Sequence, residues 1–129
     1  MAIQPRNMEV LSHFPLAPTE VRSTTFTGAT VNVANLRSLD GDIQVMLDSS
    51  IVTGAGSITC VIQHSVDGTS NFEAVTGGAF AAVTSAAASK QILTLSKDDI
   101  RQFIRVVGTV SGSASAAYGV NGFGVPRVS

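Results

Sequence analysis

The sequence has no tryptophan, one tyrosine and one cysteine, and only 13% of its 129 residues are charged. The single Cys60 excludes an intrachain disulfide. Eight Lys and Arg face nine Asp and Glu, with no basic cluster, so neither nucleic acid nor an anionic membrane surface is expected as a partner. No apolar run is long enough to span a bilayer. The first ten residues include a proline, an arginine and a glutamate, where an export signal has an uninterrupted apolar stretch.

Signals for catalysis and for cofactor binding are also missing. There is no Gly-x-Ser-x-Gly turn for a nucleophilic serine. Neither His13 nor His64 has a second histidine four residues away or a Cys-x-x-Cys pair, which are common spacings of transition-metal ligands. The glycine-rich segments do not continue into a helix whose N-terminus could bind phosphate. We therefore expect no enzyme activity, no catalytic residues, no metal, no cofactor and no small-molecule substrate.

What the sequence has in abundance is small residues and short alternating segments. Gly, Ala, Ser and Thr make up 54 residues, a composition that favours a compact β architecture over a charged helical bundle. The chain length fits one domain. About eight short strands separated by glycine-rich turns predict an all-β fold, an antiparallel β-sandwich of two sheets packed face to face.

Individual strands follow from the alternation of apolar and polar residues. Ile43, Val45 and Leu47 share one face of a predicted strand, and the apolar run 58–62 predicts a strand with Cys60 buried in it. An Asp67-Gly68 step predicts a tight reversal between this strand and the next one, which makes a hairpin. The remaining predicted strands are 22–33, an irregular strand 79–88, 91–95, 103–110 and 114–125.

The sequence predicts an extended N-terminal arm over residues 1–20 and the sandwich domain over residues 21–129. The arm contains three of the four prolines and has no regular period. It also carries apolar side chains that need to be covered, at Ile3, Val10, Leu11, Phe14 and Leu16. Either the arm folds back over its own domain, or it lies on a neighbouring subunit by adding to that subunit's sheet. In the second case these five residues form an interface, and the arm can be removed without unfolding the sandwich.

Two arginines near the 103–110 strand are further interface candidates. Arg101 and Arg105 flank Phe103 at the start of that strand. One interpretation is an exposed pair that binds Asp98, Asp99 or Glu73 and contributes at most about 1 kcal/mol to stability. The alternative is a salt bridge between subunits.

Several segments in a set order carry a family resemblance. They are Gly41-Asp42-Ile43-Gln44-Val45, Ile62-Gln63-His64-Ser65-Val66-Asp67-Gly68 followed by Phe72, Gly77-Gly78-Ala79-Phe80, the 97–100 turn before Arg101-Gln102-Phe103-Ile104-Arg105-Val106-Val107, and a small-residue strand ending at Gly124. This order resembles that of the capsid cement, or decoration, proteins of tailed bacteriophages.

The resemblance implies a jelly-roll-like sandwich and a non-enzymatic role in the virion. Such proteins assemble in the host cytoplasm on the outside of the head, where they bridge neighbouring subunits of the major capsid protein and stabilise the shell. The implied partners are the major capsid protein and further copies of this chain, as a dimer or a trimer.

Two other functional classes stay open at this stage. A neck, tail or head-fibre component is the alternative within the same particle, and the number of copies per particle separates it from a cement protein. A ligand-binding sandwich for glycans is the alternative outside it, with Tyr118 as the residue to test. An enzyme is a more distant third.

Overall fold

The computed structural model describes residues 12–33, 43–96 and 100–124, and these residues form strands and connecting segments with no helix. The all-β prediction is therefore confirmed. Nine strands follow one another along the chain: β1 (Ser12–Arg22), β2 (Phe26–Thr27), β3 (Val31–Asn32), β4 (Ile43–Ser49), β5 (Ile58–Ser65), β6 (Glu73–Ala79), β7 (Ser89–Leu95), β8 (Phe103–Val110) and β9 (Ala116–Gly124).

The strands form two antiparallel sheets with a jelly-roll order. Sheet A has the order β1-β9-β4-β7, and sheet B has the order β2-β8-β5-β6 with β3 also on β8. Strands of the first half pair with strands of the second half in reverse order, β1 with β9, β2 and β3 with β8, and β4 with β7, until β5 meets β6. This is the pairing of one long hairpin wrapped into two sheets, as in a jelly roll. Because β2 and β3 are two pieces of one interrupted strand on β8, the predicted count of about eight strands agrees.

The core lies between the sheets and is built by alternation. In β4 the side chains of Ile43, Val45 and Leu47 are fully buried, whereas Gln44 and Asp48 are exposed. The facing sheet contributes a matching set of buried side chains from β5 and β8, namely Ile58, Cys60, Ile62, Ile104 and Val106. Burial of Cys60, predicted from its apolar run, is thus confirmed.

Residues 12–20 of the predicted arm belong to the sandwich. They form most of β1, which pairs with β9 along its length. Phe14 and Leu16 are packed in the core of their own domain, and the Phe14 ring occupies the space that a side chain at residue 122 would need. Residues 1–11 lie outside the described part of the chain, and removal of residues 1–20 would take a strand and core side chains with it.

The predicted irregular strand 79–88 is wrong beyond its first residue. β6 ends at Ala79, and the segment that follows is held to β5 by a few backbone hydrogen bonds rather than by a ladder. Phe80 N–H donates to the carbonyl of Cys60 (2.9 Å), and Val83 exchanges two bonds with Ile58 (2.8 and 3.0 Å). The alanine content of this segment does not determine its structure. The path of the chain is set instead by the buried side chains of Phe80 and Val83. The predicted strand 22–33 is likewise reduced to β2 and β3.

A buried arginine and the only tyrosine link the two sheets at one end of the core. The Arg22 guanidinium donates to the carbonyls of Tyr118 and Pro18, both at 2.6 Å. It also lies 4.1 Å from the centre of the Phe26 ring and 4.8 Å from that of Tyr118. The Tyr118 hydroxyl reaches across to Gly108 of sheet B, so that a methyl group at that position would overlap it. Within the described residues this buried hydroxyl has no hydrogen-bond partner.

The predicted hairpin is confirmed as β5 and β6, joined by a turn built around Asp67. The Asp67 carboxylate accepts bonds from the N–H groups of Thr69 (3.0 Å) and Ser70 (2.9 Å) and from the Ser70 hydroxyl (2.8 Å). Gly68 adopts a positive φ of 77° and lies against the Phe103 ring, which leaves no room for a side chain. The backbone bonds from Ser70 and Thr69 hold the pKa of the Asp67 carboxyl well below its ordinary value.

The contact between the Tyr118 hydroxyl and Gly108 predicts opposite effects of two substitutions on the free energy of unfolding. Gly108→Ala is expected to lower the free energy of unfolding by about 1–3 kcal/mol, because the added methyl overlaps the tyrosine hydroxyl. Tyr118→Phe is expected to raise it by about 1 kcal/mol, because a buried hydroxyl without a partner is removed. Urea unfolding of both variants and of the double variant measures this. The double variant should recover part of the loss, and a destabilising Tyr118→Phe contradicts the account.

The Asp67 turn predicts a pH-dependent contribution to stability. Since the pKa is lowered on folding from an ordinary value of 3.8, the charged carboxylate stabilises the folded state above that pH, and the contribution is lost as the pH falls below it. Asp67→Ala is therefore expected to destabilise the protein at pH 7, with a difference from wild type that shrinks below about pH 4. Unfolding curves at several pH values measure it. Asp67→Asn, which keeps one acceptor oxygen but does not titrate, is the control, and a pH-independent difference for Asp67→Ala contradicts the account.

Candidate contact surface

The described residues contain no cluster of metal-binding side chains, and their one thiol is buried. No group of three or more His, Cys, Asp or Glu side chains lies together among them. Burial raises the pKa of the Cys60 thiol to about 11, against a smaller opposing effect of Arg22, so the thiolate that a nucleophile requires is scarce at neutral pH. None of the described segments is a helix long and apolar enough to cross a membrane.

Both histidines and the tyrosine make contacts within the fold. His13 lies 3.0 Å from the Asn121 side-chain oxygen and packs on the Phe123 ring with centroids 5.1 Å apart. His64 accepts a bond at Nδ1 from the Arg101 backbone N–H (3.2 Å). Burial raises the pKa of Tyr118 to about 12, and its side chain is 1% exposed. Tyr118 is therefore not available to stack on a sugar ring, and the glycan alternative loses the residue on which its test depended.

The predicted interface residues fall into three groups. Ile3, Val10 and Leu11 lie outside the described residues. Phe14 and Leu16 are buried in the core, so in this conformation neither side chain offers area to another subunit. Arg101 and Arg105 lie partly exposed on the surface.

Arg101 and Arg105 reach across β5 to side chains at the start of β6. The Arg105 guanidinium lies 3.7 Å from the centre of the Phe72 ring, and its Nε donates to the Gln63 side-chain oxygen (2.9 Å). Arg101 pairs with Glu73 at 3.6 Å, which is one of the partners expected from the sequence. Both groups of this ion pair are exposed, so its contribution to stability is at most about 1 kcal/mol.

The outward face of sheet A carries apolar side chains that are exposed or only partly covered by described residues. Ile92 of β7 is 63% exposed and stands beside Met46 of β4, which is half-buried and lies next to Asn121 of β9. The adjoining row across the sheet places the half-buried Phe123 ring between Gln44 and His13. Ile92, Met46 and Phe123 thus form an apolar strip across this face. The strip is interrupted by Gln44 and Asn121, and we call it the sheet A face.

Of the edges that the two sheets present, three are irregular. β1 contains Pro15 and Pro18 and two shifts of register against β9, features that hinder pairing with a further strand. β2 and β3 are two residues each. β6 shifts its register against β5 and contains Gly77 at a φ of 78°.

The remaining edge, β7, is regular over seven residues. It pairs with β4 from Ser89 opposite Ser49 to Leu95 opposite Ile43 without any shift. It contains no proline, no glycine and one charged residue, Lys90. Within the described part of the chain β7 pairs only with β4, and its exposed Ile92 borders the sheet A face.

Sequence reasoning did not select Ile92 or Met46 as contact residues. A signal was present, because Ile92 and Leu93 are consecutive apolar residues in a predicted strand, and consecutive side chains point to opposite faces. One of the two must therefore face outward. Which of them does so, and that Met46 lies beside it, depends on the pairing of β7 with β4.

No family model matches this chain, and no curated protein matches it in sequence. Among solved structures, a chain from a study titled "Bacillus endospore appendages form a novel family of disulfide-linked pili" is similar at 15% identity and a TM-score of 0.49, covering 92% of this chain and 90% of that one. A chain of infectious bursal disease virus, Gx strain, is similar at 16% identity and a TM-score of 0.37, covering 88% of this chain and 32% of that one. The jelly-roll assignment rests on the order of the strands in the two sheets.

Proposed function

We propose that this chain is a non-enzymatic structural protein of a tailed-bacteriophage virion, a cement protein that binds the outside of the head. In this role it is made in the host cytoplasm and bridges neighbouring subunits of the major capsid protein. The observation that carries the proposal is the sheet A face, an interrupted apolar strip across β7, β4 and β9, in a domain whose described residues form no cluster of metal-binding side chains.

The fold suits a protein that works through contacts. Two sheets packed on a continuous core hold the sheet A face in a fixed shape, so little ordering entropy is lost when it binds. One such face is small compared with the roughly 1,600 Å² of a standard interface. Repetition on a capsid lattice compensates, because contacts that are weak singly become strong when many copies bind side by side.

Binding to heads tests the proposal. Purified full-length protein is mixed with heads from a mutant virus that lacks this chain, and bound protein is measured by co-sedimentation and by imaging of the particles. The expected result is binding over the whole shell in hundreds of copies. Met46→Glu, in the middle of the sheet A face, is expected to weaken binding by about tenfold or more, because it places a charge in an apolar contact.

The matched control is Thr109→Glu, which adds the same charge at an exposed position on the outward face of sheet B and should leave binding unchanged. Binding at one vertex in about a dozen copies would instead identify a neck or tail component. Absence of binding, or equal binding by Met46→Glu and wild type, contradicts the proposed role of the sheet A face.

A further inference from the structure

The backbone groups of β7 that face away from β4 can be identified from the hydrogen bonding of β4. Ser50 N–H donates to the Ala117 carbonyl (2.9 Å) in the same register that pairs β4 with β9. Because antiparallel bonding alternates, the even-numbered residues of β4 bond to β9 and the odd-numbered ones bond to β7. The β7 residues opposite those odd-numbered residues are themselves odd-numbered. The N–H and C=O groups of Lys90, Ile92 and Thr94 therefore point outward from the edge of sheet A.

The side chains of these three residues also lie on the outward face. Lys90, Ile92 and Thr94 are all exposed, and they alternate with partly buried or buried neighbours along β7. The backbone and the side chains of the same three residues are thus both accessible to an added strand. The segment that leads into β7 ends in three exposed alanines, residues 86–88, whose short side chains leave room for that strand.

We propose that β7 pairs antiparallel with β7 of a second copy, around a two-fold axis at Ile92. In this register Ile92 faces Ile92, and Lys90 of each copy faces Thr94 of the other. Every outward-pointing backbone group of the three residues then finds a partner, which gives about six hydrogen bonds between the copies. The two sheets A join into one eight-stranded sheet, within the size of natural open sheets.

The side-chain pattern of β7 is complementary to itself in this register. The apolar Ile92 meets another Ile92, with Met46 of each copy beside it, so the exposed strip becomes continuous across the axis. The one charged residue of the strand, Lys90, meets a neutral threonine rather than a second lysine, and like charges in directly opposite positions would be unfavourable. Moving the axis by one residue places Lys90 opposite Ile92 and loses this match.

The dimer goes beyond the proposed function, because it concerns the isolated protein and requires no head. Strand pairing at one edge buries less area than a standard interface, so a dissociation constant of about 10 µM is expected. Sedimentation velocity of the purified full-length protein over a range of concentrations measures it. A monomer at about 100 µM, or a trimer at any concentration, overturns the proposal.

One pair of variants tests the position of the contact. Ile92→Lys places two ammonium groups opposite one another and is expected to raise the dissociation constant at least about tenfold. Val21→Lys is the matched control, since Val21 is also a β-branched apolar residue, 74% exposed against 63% for Ile92, on the opposite edge strand of the same sheet. It should leave the dimer intact. Unchanged association of Ile92→Lys, or dissociation by Val21→Lys, overturns the proposal.

A covalent test fixes the register. In Ile92→Cys the two new thiols face each other with Cα atoms about 5.5 Å apart, as in a hydrogen-bonded antiparallel pair, which lies within the range that a disulfide spans. Mild oxidation should yield a covalent dimer on a non-reducing gel, whereas Val21→Cys should stay monomeric. Buried Cys60 is present in both variants and in wild type, which serves as the blank. Oxidised Ile92→Cys that gives no more dimer than Val21→Cys indicates another occupant of the edge, such as residues 1–11 of a neighbour, and overturns the proposal.

Discussion

The backbone hydrogen bonds of sheet A constrain the rest of the structure. Every strand has donors and acceptors along both of its sides, and in a folded protein these groups require partners or water. β4 satisfies both sides, because β9 pairs with one and β7 with the other. The side chains follow the same ladder, so that the burial of Ile43, Val45 and Leu47 turns Met46 outward. Core, sheet A face and edge are therefore consequences of one register.

The four edge strands of the two sheets differ in how regular they are. Proline and register shifts interrupt β1, and short length limits β2 and β3. Glycine and a shift disturb β6. Such irregularities protect a sheet from unwanted pairing. Within the described residues β7 has none of these irregularities, and its one charged residue is Lys90. This contrast within one molecule makes β7 the edge best suited to pair with a further strand.

A buried polar cluster at one end of the core keeps the two sheets in a defined relation. Arg22 is 7% exposed, but its charge is met by two carbonyls and by the Glu20 carboxylate at 3.3 Å, and it contacts two aromatic rings. Tyr118 crosses the core to a glycine on the other sheet. Groups of this kind contribute to a unique packing more than to net stability. A domain with one rigid arrangement of its sheets is suited to the proposed role, in which a fixed surface is repeated many times.

Much of the fold could be predicted from the sequence, because short strands with period-two alternation have few ways to bury their apolar faces. The alternation in 43–47, the burial of Cys60, the reversal at Asp67-Gly68 and the strand 103–110 are all local patterns, and the structure has each of them. The sequence by itself therefore determined the class of fold and most of the strand positions.

Only the tertiary structure decided which surfaces stay exposed. Phe14 and Leu16 lie in a segment with prolines and no period, and their burial depends on β9, which is about 100 residues away along the chain. The outward position of Ile92 depends likewise on the pairing of β7 with β4. A local sequence pattern shows that a side chain is apolar. The residue that covers this side chain is determined by long-range strand pairing, and the spacing of residues in a single sequence does not specify that pairing.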